Sequence, residues 1–236
     1  IRDSAHPERA AAAVDGRRCR AGAPRACGST KVKPPGACAS APEPGGLRVV
    51  DGSSSTFYVL NPAGDLARTQ AAFERDFAAR CGWRGVTGAP PSASELLAAL
   101  RECELLVYCG HGSGERFVRP ESVQQLSRCA AAWLMGCSSG APVLNGEFEA
   151  PSMHGCYLLG GSPSVVGTLW DVTDGDIDRF CAALLAECAA EGGVPLLPAL
   201  ARARAACKMV RLVGAAVVSY GLPMHVRLRE PADGQY

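Results

Sequence analysis

Leu105-Leu106-Val107-Tyr108-Cys109-Gly110-His111-Gly112 is an apolar run that closes on a histidine set between two glycines. An unbroken apolar run of this length, ended by glycine, reads as a strand buried on both faces, the kind found in parallel sheets. A second run of the same type, Ala132-Trp133-Leu134-Met135-Gly136-Cys137-Ser138-Ser139-Gly140, closes on a cysteine. In parallel α/β sheets, ligands meet the protein at the carboxyl ends of the strands. Neighbouring strands would therefore bring the His111 imidazole and the Cys137 thiol to one point on that edge. The glycines beside His111 allow a sharp turn and leave backbone amides uncovered, and such amides bind oxyanions. A thiol with a pKa of about 8.5 is a poor nucleophile at neutral pH, and an adjacent imidazole lowers that pKa or accepts the proton. The pattern is that of a cysteine protease with Cys137 as nucleophile and His111 as base.

Residue type alone does not single out these two. Cysteine is among the most buried residue types, and the chain holds 12 in 236 residues, so most of them are structural. The four histidines (His6, His111, His154 and His225) discriminate better, since only His111 follows an apolar run between glycines.

Outward from these runs the chain alternates strands and helices. Residues 56–60 read as a strand and Asn61-Pro62-Ala63-Gly64 as a turn. Asp65 is expected to cap a helix reaching Arg80, with Leu66, Thr69, Ala72, Phe73 and Phe77 on one face. A short strand at 82–86 and a helix over 95–101, capped by Ser92 or Ser94, precede the His111 run. Beyond it, short helices are expected at 120–126 and 152–159, a strand at 164–172, helices at 176–190 and 197–210, and a last strand within 215–226. This order predicts an α/β domain with a mostly parallel sheet and helices on both faces.

Residues 1–46 are rich in Ala, Pro, Gly and Arg and nearly free of bulky apolar side chains. They bury too little to offset the entropy of ordering. They read as a disordered linker or insert before a folded domain over 47–236, and the start at Ile1 suggests part of something longer. The net charge of +1, from 24 basic and 23 acidic residues, favours neither nucleic acid nor membrane as a direct partner. No apolar run has transmembrane or signal-peptide length. The cysteines are scattered and form no C-x-x-C, against a zinc site or a disulfide scaffold. A reducing compartment, cytosol or nucleus, is expected, with no cofactor or metal.

Trp170-Asp171-Val172-Thr173-Asp174-Gly175-Asp176-Ile177-Asp178 places four carboxylates where a strand gives way to a helix. Thr173 or Asp174 can cap that helix, and acids in a first turn suit the macrodipole. A calcium loop lacks its glutamate about twelve positions on. Some of these carboxylates are also expected to form a pocket for a basic side chain, most simply an arginine held by two hydrogen bonds.

Two rivals share the same residues. Gly136-Cys137-Ser138-Ser139-Gly140 fits G-x-S-x-G, the nucleophile elbow of α/β-hydrolases, with Ser138 attacking and an Asp within 171–174 and His225 completing a triad. Against it, Pro142 and Gly146 stand where an elbow leads into a helix, and His111 is left without a role. A catalytically inactive module of the same fold is the other rival. A P-loop is absent, and Glu115 occupies the third glycine position of a dinucleotide fingerprint.

Residues 56–226 resemble separase, the caspase-like cysteine protease that opens cohesin rings. The resemblance rests on Phe57-Tyr58-Val59-Leu60-Asn61-Pro62-Ala63-Gly64-Asp65-Leu66, Tyr108-Cys109-Gly110-His111-Gly112-Ser113-Gly114, Met135-Gly136-Cys137-Ser138-Ser139-Gly140, Leu169-Trp170-Asp171-Val172-Thr173-Asp174-Gly175-Asp176-Ile177-Asp178-Arg179-Phe180, and Ser219-Tyr220-Gly221-Leu222-Pro223. The Q-A-C-x-G of caspases proper is missing. What the resemblance implies is a caspase-like α/β fold, Cys137 as nucleophile, His111 as base, and the Gly112 and Cys137 amides as oxyanion donors. It further implies Asp171, Asp174 and Asp178 as candidates for the pocket of the arginine before the cut bond. The kleisin subunit of cohesin would be the substrate, securin the inhibitor, and cytoplasm and nucleus the location.

Overall fold

The computed structural model describes residues 47–143, 146, 152–189 and 192–230, so the disordered segment expected over 1–46 lies outside the described residues. In chain order, Arg48–Asp51 forms β1, Thr56–Leu60 β2, Ala67–Ala79 α1, Trp83–Thr87 β3 and Ala93–Glu102 α2. Leu105–Cys109 is β4, Pro120–Gln124 α3, Ala131–Leu134 β5, Met153–Leu159 α4 and Ser164–Thr168 β6. Asp174–Cys188 is α5, Val194–Pro195 β7, Leu196–Ala203 α6, Val217–Gly221 β8 and Met224–Arg227 β9.

Six strands form the main sheet in the order β3-β2-β4-β5-β6-β8. The first five run parallel, and β8 is antiparallel to β6. The two apolar runs are its central strands, which is why both read as continuous apolar stretches rather than alternating ones. Side chains of period two split between two cores. Leu105, Val107, Cys109, Ala131, Trp133 and Val166 face Phe73 and Phe77 of α1, Ile177, Phe180 and Leu184 of α5 and Leu200 of α6. Leu106, Tyr108, Ala132, Leu134 and Val165 face Leu96 and Leu100 of α2, Val123 of α3 and Tyr157 of α4. Helices thus cover both faces of a mostly parallel sheet, as the sequence predicts.

Three expectations are corrected. The helix expected over 197–210 stops at Ala203 and gives way to a 3-10 turn, Arg204–Ala206, and a π-helical segment, Val210–Gly214. The cause is tertiary: the Lys208 and Met209 amides donate to the buried Asp176 carboxylate, so they are unavailable to a helix. The expected last strand is two. At Gly221, with φ +105, the chain leaves the main sheet, and β9 joins a second sheet of order β1-β9-β7. Finally, α1 is not capped by Asp65. Its cap position is Leu66, with no side-chain cap, and the Leu66 amide donates to Asn61 Oδ1 at 2.8 Å.

Candidate active site

β4 and β5 pair in parallel register with Tyr108 opposite Leu134. His111 lies three residues beyond Tyr108 and Cys137 three beyond Leu134, so both follow neighbouring strands at the sheet's carboxyl edge. Both line one cleft, together with Leu66, Thr69, Met135, Val172, Asp174 and Asp178.

The two loops touch through backbone. A Cβ on Gly136 would stand 2.1 Å from the Gly112 carbonyl oxygen and 2.6 Å from that of Gly110, so only glycine permits this approach. The Tyr108 hydroxyl donates to the His111 carbonyl at 2.7 Å and fixes the turn after β4. On the cysteine side, the buried Ser139 hydroxyl donates to the Leu134 carbonyl at 2.7 Å and accepts the Thr168 amide at 3.0 Å. The Thr168 hydroxyl donates to the Gly136 carbonyl at 2.6 Å. The loop carrying Cys137 is thereby bound to the end of β6.

The Cys137 thiol is free and half-buried, 3.3 Å from the Val172 carbonyl oxygen and 3.4 Å from the Val172 amide. The His111 side chain is exposed, and its Nε2 pairs with Asp65 Oδ2 at 3.0 Å. No described residue accepts a hydrogen bond from the Gly112 or Cys137 amide.

The four carboxylates after β6 take three different places. Asp174 and Asp178 line the cleft. Burial pushes the Asp178 carboxyl up to about 6, with the Asp174 charge adding to the effect and the Thr69 hydroxyl opposing it. Asp171 does not line the cleft, and it accepts the Ser138 hydroxyl at 2.8 Å. Asp176 is turned into the core. Burial alone would raise its pKa, but bonds from Arg179 and the Lys208 and Met209 amides hold it below the usual carboxylate value.

The elbow arrangement finds little support in these contacts. Ser138, at φ +52, donates to Asp171 rather than to an imidazole. Residues 141–143 after it are not helical, and His225 sits in β9 of the other sheet, between Val49 and Pro195. The Asp65–His111 contact is not anticipated by the sequence, because an acid just before a helix reads as a cap.

Comparison with known proteins places these motifs in company. A family model described as "Separin, protease domain" matches residues 40–177. Separin of Mus musculus is 44% identical over 174 residues, 73% of this chain and 8% of that protein. Separin of Saccharomyces cerevisiae is 38% identical over 178 residues, 70% of this chain and 11% of that protein. The chain thus spans about a tenth of the length of these curated relatives. Among solved structures, the Saccharomyces cerevisiae separase-securin complex superposes with a TM-score of 0.72 at 36% identity, over 76% of this chain and 13% of that one.

Proposed function

The chain belongs to the separin family, through its protease domain, and from that membership we propose that it is a cysteine endopeptidase of separase type. The Cys137 thiol gives its proton to His111, and the thiolate attacks the carbonyl carbon that follows a substrate arginine. The resulting oxyanion docks on the Gly112 and Cys137 amides. His111 returns the proton to the leaving amine as the C–N bond breaks, and a thioester on Cys137 remains. Water, deprotonated by His111, then hydrolyses the thioester and frees the thiol.

The arginine side chain enters between Asp174 and Asp178, whose charges lie in the same cleft as Cys137. Asp171 serves at the margin by holding Ser138. The kleisin subunit of cohesin is the proposed substrate, which makes chromosome segregation the process and cytoplasm and nucleus the location. Securin is the proposed inhibitor, a reading supported by the likeness to a relative solved as a separase-securin complex.

The observation that supports the catalytic assignment is that His111 and Cys137 follow the neighbouring strands β4 and β5 and line one cleft. The test is labelling of the full-length protein with an arginyl acyloxymethyl ketone, followed by mapping of the adduct. Modification of Cys137 that disappears in His111→Ala is expected. Modification of Ser138 instead would return the hydrolase reading, and an arginine peptide cleaved as fast by Cys137→Ser would end the cysteine mechanism.

A further inference from the structure

Asp65 occupies the place where a helix-capping carboxylate is expected, yet α1 has no side-chain cap and the Asp65 carboxylate lies 3.0 Å from His111 Nε2. The segment that carries it is held by Asn61, a buried residue in the left-handed region at φ +51. The Asn61 amide donates to the Cys109 carbonyl at 2.8 Å, at the end of the strand that carries His111. Its side-chain Oδ1 accepts the Leu66 amide, and its Nδ2 donates to Gln70 at 2.8 Å. The Gly64 amide donates to the Asn61 carbonyl at 3.1 Å. One residue therefore fixes the segment 61–66 both to α1 and to the base of the His111 turn. It takes over the amide at the cap, and the Asp65 carboxylate is left to the imidazole.

On the reading that Cys137 and His111 form the reacting pair, we propose that Asp65 is the positioning residue of His111. It accepts the hydrogen bond from Nε2–H and so selects the tautomer whose Nδ1 takes the proton. When the Cys137 S–H bond breaks and Nδ1–H forms, the carboxylate faces the new imidazolium and favours it. Asp65 itself exchanges no proton in the step. An exposed ion pair contributes little to stability, so the contact has no large structural role to explain it. Near the His111 turn, the Glu115 carboxylate packs against Gly112 and accepts the Ser113 amide at 2.7 Å, and Asp174 and Asp178 line the same cleft as His111.

The experiment compares Asp65→Asn and Asp65→Glu with the unaltered full-length protein on an arginyl peptide, reading kcat and KM across pH together with Tm. Asp65→Asn is expected to lower kcat about ten- to a hundredfold, less than the roughly 10²–10⁴ that a general base itself supplies. KM and Tm are expected to stay unchanged, and the acid limb of kcat, which protonation of the base sets, to move to lower pH because the imidazolium loses its negative neighbour. Asp65→Glu is expected to restore part of kcat. Unaltered kcat in Asp65→Asn, or a loss of kcat with an unmoved acid limb, would overturn the inference. The catalytic reading itself is tested separately by Cys137→Ser: if that variant is inactive while Asp65→Asn is fully active, only the role of Asp65 falls.

Discussion

The Thr69 hydroxyl donates to the Asp178 carboxylate at 2.9 Å and so ties α1 to α5 inside the cleft that holds His111 and Cys137. This bond supports the ionised carboxylate, yet burial prevails and the Asp178 pKa rises from its ordinary 3.8 to about 6. Because the folded value exceeds the unfolded one, the native state binds the extra proton between those values. Stability therefore falls as pH rises from about 4 to about 6 and then levels off. Asp178→Asn is expected to remove that slope and to raise Tm at neutral pH. The measurement is Tm against pH for both proteins, and equal slopes would contradict the burial argument.

An arginine ligand favours the ionised Asp178, so its binding should strengthen as pH rises through about 6. The inhibition constant of an arginyl aldehyde, compared with that of a leucyl aldehyde over the same pH range, isolates this effect. The arginyl preference is expected to grow with pH in the unaltered protein and to stay flat in Asp178→Asn.

Gly136 sits where the His111 and Cys137 loops meet. Its added Cβ in Gly136→Ala would strike the Gly112 and Gly110 carbonyl oxygens, which are backbone and cannot swing away. Overpacking of this kind costs about 1–3 kcal/mol. The larger consequence is expected in function, since separating the loops moves the thiol from the imidazole. Chemical denaturation and the rate of Cys137 alkylation should both change, and a variant of normal alkylation rate would refute the contact.

Asp176 serves the fold rather than the site. Its carboxylate accepts the Lys208 amide at 2.6 Å and the Met209 amide at 3.4 Å, and it pairs with Arg179. Asp176→Ala leaves those amides without an acceptor and is expected to cost about 3 kcal/mol, the low end for a broken buried pair because Arg179 retains access to water. The folded pKa of Asp176 is depressed, so its contribution holds above the ordinary carboxylate value and is lost as pH falls through the folded one. The unaltered protein should therefore show an acid-unfolding slope that Asp176→Ala lacks.

Ser139→Ala removes the acceptor for the Thr168 amide and the donor to Leu134. A buried amide left unsatisfied costs about 1–3 kcal/mol. Urea denaturation should show a loss in that range. A loss under half a kcal/mol would mean that another group takes over the amide.

The sequence by itself determined the central strands of the main sheet and that His111 and Cys137 follow two of them. Apolar runs such as Leu105–Cys109 and Ala131–Leu134 have few places to go except a doubly covered sheet, and a histidine between glycines after one of them is hard to read as core. The one-faced apolar pattern settled α1, and the serine cap marked the start of α2, where Ser92 accepts the Glu95 amide. What tertiary structure alone decided are the contacts between segments distant in the chain. Nothing near Asp65 signals His111, 46 residues on, and local pattern favoured a cap that Asn61 displaced. Nothing within 197–210 shows that Asp176 draws the Lys208 and Met209 amides out of helical bonding. Four similar carboxylates within eight residues acquired separate roles, core anchor, cleft wall and partner of Ser138, only because folding gave each a different neighbour and degree of burial. Local propensity fixes which elements form; the environment of each polar group, and hence its chemistry, is set by the chain packed against it.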